Sequence, residues 1–446
     1  MTSQPSHPDP TPPTDFDHRA AARDSLLGLA TGDAYGAQHF VPENLRLLRD
    51  GQLPPAPWPW TDDTEMACSV LAALWLRGKV DPSELAGSFA CRHDFDRGYG
   101  PAMNTLLRQV RQGGSWQKLA QGLFEGQGSW GNGAAMRVAP LGAWFAVDPE
   151  EAAWQAAQSA KVTHAHPEAV AGAVAVAVAA ACAARSRGSG LAVREFLDPV
   201  RTLTPVGKVH DGIEEALELA RQPHAELAAH RLGNGSQVSA VDTVPFTLWC
   251  AARHPDDYPA ALRAAASVGG DVDTTCAIVG GIIAARVGAE GIPPLWREAT
   301  EPLPAWAEVD RPGSDLHRDD LLHVQPLTNP RPVPVPGGTW SPGQWQRVRH
   351  GVRAQAMEEK WNILLEGDRL LLLRSWTGMC IFEVQVAATD EGWRPVRAWV
   401  ESDRGNYRRG TDEAEAAMLE LLLDQYFGRE GRPELWSRYK RLRFGG

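Results

Sequence analysis

Two short segments of this 446-residue chain concentrate oxygen ligands just before apolar helical runs. Trp60-Thr61-Asp62-Asp63-Thr64-Glu65 follows a Pro-rich loop and precedes the run Met66 to Leu76, and Gly269-Gly270-Asp271-Val272-Asp273-Thr274 precedes Cys276 to Ala285. Each alone reads as a helix cap, in which hydroxyls and carboxylates accept from the free N–H groups of a first turn, with Asp62 and Glu65 as a capping-box-like pair. Side by side they suggest more. Each supplies an Asp/Asp/Thr set of hard oxygen donors with no His or Cys inside it, which suits Mg²⁺ or Mn²⁺ better than zinc. In one small volume four carboxylates would repel and hold their protons. Cations remove that penalty, and helix N-termini pointing inward favour the ionised form.

A third segment, Gly126-Gln127-Gly128-Ser129-Trp130-Gly131-Asn132-Gly133, contains a formal G-x-G-x-x-G. The dinucleotide fingerprint needs a preceding strand and a βαβ unit, whereas Trp116 to Phe124 reads as helix. What survives is a loop whose glycines expose backbone N–H groups to a phosphate, with Ser129 and Asn132 adding polar contacts, or else a tight interhelical turn. Gly28, Gly32 and Gly36 recur at helical spacing, which permits close helix packing or approach to a ligand. His164 and His166 stand before an Ala/Val-rich helix, where an interior histidine is either a hydrogen-bonded packing residue or a ligand. No H-E-x-x-H helix, Walker lysine loop or G-x-S-x-G elbow is present, so zinc proteolysis, P-loop chemistry and α/β-hydrolase chemistry lose support.

These segments require elements that bring them together. From Arg19 to Glu301 Ala/Leu-rich helical periodicity alternates with short Gly/Pro/Asp breaks, which predicts an all-α domain. Residues 302–338, with Pro330, Pro332, Pro334 and Pro336, read as an extended linker. Residues 339–446 read as a smaller α+β domain, because Trp361 to Leu365, Arg369 to Trp376 and Cys380 to Ala387 are short apolar runs. Gly367-Asp368 is a hairpin signal between the first two, and Thr411 to Phe427 returns to helical periodicity. Trp361, Trp376 and Trp393 are expected in that domain's core. Residues 1–18 are polar and Pro-rich, a disordered tail without the apolar core of a signal peptide.

The formal net charge of −11 disfavours nucleic acid as a standing partner. Six scattered cysteines without a C-x-x-C pair read as reduced thiols, and a cytoplasmic location is expected. The apolar stretch Ala169 to Ala184 is shorter than the ~20 residues of a bilayer span, so no membrane association is expected.

Taken together the motifs resemble the ADP-ribosylglycohydrolase family, over roughly Ala22 to Trp296. The resemblance rests on G-D-A-x-G at Gly32 to Gly36, W-T-D-D-T at Trp60 to Thr64 and R-G-Y-G at Arg97 to Gly100. It continues with G-S-W-G-N-G-A-A-M-R at Gly128 to Arg137, T-H at Thr163-His164 and G-G-D-x-D-T at Gly269 to Thr274. It implies an all-α orthogonal helical domain holding two divalent cations, Mg²⁺ or Mn²⁺, on Thr61, Asp62, Asp63, Asp271, Asp273 and Thr274. It also implies a substrate cleft formed by Gly100, Gly128, Ser129, Trp130, Gly131, Asn132, Gly133, Met136 and His164. The R-G-Y-G and G-S-W-G-N-G wording is closer to the serine-directed branch of the family than to the arginine-directed one.

The implied reaction is attack at the anomeric carbon of the distal ribose of ADP-ribose, with the metal pair fixing ribose hydroxyls and lowering the pKa of a water. The substrate would be an ADP-ribosylated protein or a small ADP-ribosyl conjugate, and nearby carboxylates would stabilise an oxocarbenium-like transition state. In the serine-directed branch an acidic residue follows the G-D-x-x-G segment; here Phe40 occupies that place and Glu43 is the nearest carboxylate. Asp62, Asp63 and Glu43 are the candidates for proton transfer. Two other classes fit the same segments: a non-catalytic ADP-ribose-binding or structural protein, and a metal-dependent phosphoanhydride hydrolase. The C-terminal domain, around Arg374-Ser375-Trp376-Thr377-Gly378, resembles a small bacterial family of unknown function. It is expected to serve target choice or a protein partner.

Overall fold

A computed structural model describes residues 16–304, 306–307, 316, 318, 321, 324–341, 344–345, 348–349, 351–354, 359–389, 392–428 and 433–444. The chain divides into two units, Met1–Leu303 and Pro304–Gly446. Most of the expected tail lies outside the described residues. Its last part is structured: Asp17 caps the first helix, His18–Ala37, by accepting from the backbone N–H of Arg19 and Ala20.

The first unit is helical. Its most apolar helix, Pro167–Arg185, begins with Pro after the capping His166 and is buried almost throughout from Ala169 to Ala184. By length and composition it is apolar enough to cross a bilayer. Here helices Ala139–Trp144, Pro149–Lys161 and Val272–Val287 pack around it.

The pairing that matters most for the site is between helices His18–Ala37 and Val272–Val287. Gly28, Gly32 and Gly36 form one small-residue ridge on the first helix. A Cβ on Gly32 would lie 2.2 Å from the carbonyl oxygen of Cys276, and one on Gly36 would lie 2.5 Å from that of Val272. The two backbones therefore touch, and the glycines at helical spacing serve packing. Each glycine costs roughly 0.5–1 kcal/mol of helix stability relative to Ala. In return Asp33, next to Gly32, is carried to the start of the second helix.

In the second unit five antiparallel strands run in the order β1-β5-β4-β3-β2: β1 Pro330–Pro332, β2 Trp361–Glu366, β3 Arg369–Arg374, β4 Cys380–Thr389 and β5 Gly392–Glu401. Glu366 pairs with Arg369, so Gly367-Asp368 is a two-residue hairpin turn, and Gly367 takes φ +61°. Helix Asp412–Phe427 lays Leu419, Leu422, Leu423 and Phe427 into the sheet's core. A further helix, Pro433–Phe444, follows.

Two expectations are corrected here. The stretch read as linker is partly built into the second unit, because Val324 and Leu327 pack on β3 and β4 and Pro330–Pro332 pairs with β5. Proline is tolerated there because β1 is an edge strand. Trp361 is buried and Trp393 stacks on Trp345, but Trp376 is 66% exposed, since it sits in the turn between β3 and β4.

Candidate active site

Thr61 caps helix Asp62–Arg77 and Asp271 stands at the cap position of helix Val272–Val287, so both acidic segments are helix starts. The fold brings these starts together: Thr274 Oγ1 lies 3.4 Å from Asp63 Oδ2, across 211 residues of sequence. Carboxylate oxygens of Asp33, Asp63 and Asp273 all lie within 4.8 Å of one another.

Asp33 is the functional residue that sequence reasoning missed. It is wholly buried and accepts from the backbone N–H of Thr61 at 2.9 Å and of Thr64 at 3.2 Å. It also accepts from Thr61 Oγ1 at 2.8 Å and Thr64 Oγ1 at 2.6 Å. One carboxylate thus ties the helix carrying the glycine ridge to the start of helix Asp62–Arg77. Its signal in the sequence was an acid set among glycines on an otherwise apolar helix face.

Burial, and then the neighbouring carboxylates, hold these acids protonated beyond their usual range. Burial pushes Asp33 up to about 6 despite its hydrogen bonds. Burial and the charge of Asp33 push Asp62 up to about 7. Asp63 is raised well above the usual carboxylate range by burial, then by Asp33 and Asp273, and Asp273 by burial, then by Asp271 and Asp33. Asp63 Oδ1 is buried with no hydrogen-bond partner. Such an atom is costly to leave unpaired, and a divalent cation would satisfy it and relieve the repulsion at once. The donor set, all oxygen, therefore fits a hard cation, and the cluster is able to hold a metal ion.

The glycine loop is joined to this centre. Asn132 Nδ2 donates to Asp271 Oδ2 at 2.7 Å and to Thr243 Oγ1 at 3.0 Å. Gly131 bridges to Ser239, Ser129 Oγ accepts from the Gly131 N–H at 3.3 Å, and Ser129 O accepts from the His166 N–H. The imidazole of His164 lies against Gly131 and Gly133, where added Cβ atoms would come within 3.3 Å and 2.9 Å of its Nε2. Gly128 takes φ +75°, and a Cβ there would meet the His166 backbone N at 2.7 Å. Met136 is buried behind the loop.

The segment before the loop departs from its expected helix. Leu123 turns extended, and Phe124 and Glu125 take φ +50° and +60°. Bulky residues avoid that region, and such strain persists only where surroundings over-determine it. The result is an exposed aromatic pair, with the rings of Phe124 and Trp130 5.3 Å apart and inclined by 30°.

The R-G-Y-G segment also meets the centre. A Cβ on Gly98 would lie 3.8 Å from Asp62 Oδ1, and Tyr99 Oη donates to Glu65 Oε2 at 2.6 Å. Arg97 makes a two-pronged pair with Glu301 and stacks 3.5 Å over Trp60. Gly100 precedes helix Pro101–Arg111 and faces open space. Glu43 does not join the acidic cluster: it is exposed on the 3₁₀ turn Pro42–Asn44, beyond the exposed Phe40.

Comparison with known proteins places the chain in a family. The chain is similar to human ADP-ribosylhydrolase ARH3, with 28% identity over 67% of this chain and 92% of that protein. It is similar to ADP-ribosylarginine hydrolase Tri1 of Pseudomonas putida, with 28% identity over 64% of this chain and 75% of that one. A solved chain described as an ADP-ribosylglycohydrolase-related protein complex matches 64% of this chain and 93% of its own at 25% identity, with a TM-score of 0.47. The ADP-ribosylglycohydrolase family model matches residues 14–329. With the model covering most of its length, the chain belongs to the ADP-ribosylglycohydrolase family and is a glycohydrolase enzyme.

Proposed function

We propose that this enzyme cleaves the glycosidic bond between the distal ribose of ADP-ribose and a modified protein or small conjugate, releasing ADP-ribose, with two Mg²⁺ or Mn²⁺ ions. The observation that carries this reading is the meeting of the helix starts at Asp62 and Val272 beside a glycine loop, through the Asn132–Asp271 hydrogen bond. Thr61, Asp62, Asp63, Asp271, Asp273 and Thr274 would hold the ions. When bound, the cations would orient ribose hydroxyls, lower the pKa of a water and stabilise developing charge.

The chain's own residues supply the rest. Asp33 holds Thr61 and Thr64 in place, so the first acidic segment is pre-organised before any ion arrives. The backbone of Gly128 to Gly133 takes the diphosphate, since a side chain at Gly131 or Gly133 would collide with His164. Phe124 and Trp130 hold the adenine by stacking, a contact every base face accepts. Carboxylates around the anomeric carbon stabilise positive charge building on the ribose. Asp62 and Asp63, at the start of their helix, and Glu43, on its exposed turn, are the candidates to move the proton. Six cysteines that form no disulfide among the described residues support a reducing, cytoplasmic setting.

A panel of Ser-linked, Arg-linked, nucleic-acid-linked and small-ester ADP-ribosyl substrates, incubated with Mg²⁺ or Mn²⁺ and scored by product, tests the proposal. Free ADP-ribose with the unmodified acceptor is the expected result. Release of AMP would establish pyrophosphate cleavage instead, and binding without turnover on every member would leave a reader.

A further inference from the structure

Arg137 is wholly buried beneath the glycine loop, and no carboxylate pairs with it among the described residues. Its charge is compensated by neutral acceptors. Nε donates to Ser159 Oγ at 3.3 Å, Nη2 to Ser159 O at 2.7 Å, and Nη1 to Gly133 O at 3.2 Å and to Thr163 Oγ1 at 2.9 Å. The guanidinium also lies 4.6 Å over the ring of Phe89. A buried cation without a counter-ion is an expensive feature, and this one is fully committed to positioning its neighbours.

The consequence follows from counting protons. A guanidinium can only donate, so Thr163 Oγ1 accepts from Arg137 and must give its single hydroxyl proton elsewhere. Thr163 is wholly buried, and its other recorded partner is Nδ1 of His164 at 2.7 Å. If Nδ1 carried a proton and donated to Thr163, the threonine hydroxyl would have no acceptor among the described residues. Leaving that buried donor unpaired costs about 1–3 kcal/mol. Burial, and then the charge of Arg137, also lower the His164 pKa to about 3, so the ring is neutral and holds one proton. That proton is on Nε2, the edge that lies against Gly131 and Gly133.

We infer that Arg137, acting through Thr163, fixes His164 as the Nε2–H tautomer, a hydrogen-bond donor to an acceptor oxygen of the ligand bound along the Gly131–Gly133 backbone. The ligand part of this inference rests on the ADP-ribose reading above; the relay does not. Arg137 and Thr163 are positioning residues, and His164 is the group that touches substrate. In the opposite tautomer a bare nitrogen would face the ligand's oxygen lone pairs and repel them.

The relay is tested on the full-length protein by ¹H–¹⁵N correlation of the imidazole nitrogens near pH 7, with His164 assigned by loss of its signals in His164→Gln. The wild type should show Nδ1 as a bare, pyridine-type nitrogen and Nε2 as a pyrrole-type one. Thr163→Ser keeps the hydroxyl and should keep both that pattern and the affinity for ADP-ribose. Thr163→Val is nearly isosteric but cannot relay, so it should mix the tautomers and weaken ADP-ribose binding about tenfold, more in KM than in kcat. A wild type protonated on Nδ1, or on both nitrogens, overturns the relay, and that measurement needs no variant to fold. Wild-type tautomer and affinity in a folded Thr163→Val overturn it too. The expected tautomer in a wild type that binds no ADP-ribose would sustain the relay while overturning the functional reading and the donor role drawn from it.

Discussion

Asn132 Nδ2 donates a 2.7 Å hydrogen bond to Asp271 Oδ2, joining the glycine loop to the acidic centre through one amide. A hydrogen bond to a charged acceptor contributes about 1.5–3 kcal/mol. Asn132→Ala should therefore raise both the cation concentration needed for activity and the KM for an ADP-ribosylated peptide, by roughly tenfold or more. Asn132→Asp adds another carboxylate to the cluster and should destabilise the cation-free protein further, with excess Mn²⁺ giving partial rescue. Unchanged cation titration in both variants would separate the loop from the centre.

Asp62→Asn and Asp273→Asn test whether the two helix starts form one unit. Both residues lie in the first turn of their helices, and an aspartate that only favours the helix dipole there should lose about 1 kcal/mol or less on neutralisation. If each carboxylate holds cations, either change abolishes most turnover and reduces the thermal stabilisation given by Mg²⁺. The double variant should then be little worse than either single one, because residues acting as a unit are non-additive. Near-wild-type turnover in the single variants, or turnover that survives exhaustive chelation, leaves these residues as first-turn acids that only favour the helix dipole.

Without cations, stability should fall as pH rises. Asp33 is raised from 3.8 to about 6 and Asp62 from 3.8 to about 7, so between about pH 4 and pH 7 the folded state binds more protons than the unfolded one. Where that holds, unfolding free energy declines with pH, and the loss is complete above the folded pKa values. In chelator the protein should melt several degrees higher at pH 5 than at pH 7.5, at roughly 2–4 °C per kcal/mol for a domain of this size. Saturating Mg²⁺ or Mn²⁺ at pH 7.5 should restore the difference. A chelated protein that melts higher at pH 7.5 would contradict the crowding of protonated acids described above.

Phe124→Ala should weaken ADP-ribose binding by roughly 5–150-fold, the range that corresponds to ~1–3 kcal/mol of base stacking. Binding of ribose 5-phosphate, which has no base, should be unaffected. Phe124 is exposed and Ala keeps the Cβ that disfavours φ +50°, so the melting temperature should be nearly unchanged. Calorimetry with both ligands reads the difference, and equal losses for the two would remove the adenine from this surface.

A chain ended at Leu303 should keep turnover of a small ADP-ribosylated peptide, because every member of the centre and loop lies in the first unit. Ending near Gln325 is less suitable, since that residue bonds to Gly378 and Cys380 in the second unit. The second unit would then act on target choice or partners. Loss of small-substrate turnover by a truncated chain with an intact circular dichroism spectrum would assign it a direct part in the site.

What the sequence determined by itself is local. The helix start at the first acidic segment, the turn at Gly367-Asp368 and the helical character of Pro167–Arg185 depend on residues a few positions apart, where periodicity and turn chemistry decide the outcome. The cap, however, is Thr61 and not the expected Asp62–Glu65 pair, since Glu65 accepts from Tyr99 and Asp94 instead. The chemical kind of the centre was legible for the same reason, because both helix starts carry their own hard oxygen donors. Which acids meet was decided only in three dimensions. Asp33 is one polar residue in a helix until the ridge of Gly28, Gly32 and Gly36 lets two backbones touch, and its contact with Thr64 spans 31 positions. Glu43 looked available by counting along the chain, yet the turn after that helix leaves it exposed. Phe124 and Arg137 gave no local signal: left-handed backbone at a bulky residue and a buried, unpaired cation are both unfavourable alone. Each exists only because many distant contacts compensate for it, and no short window of sequence contains those contacts.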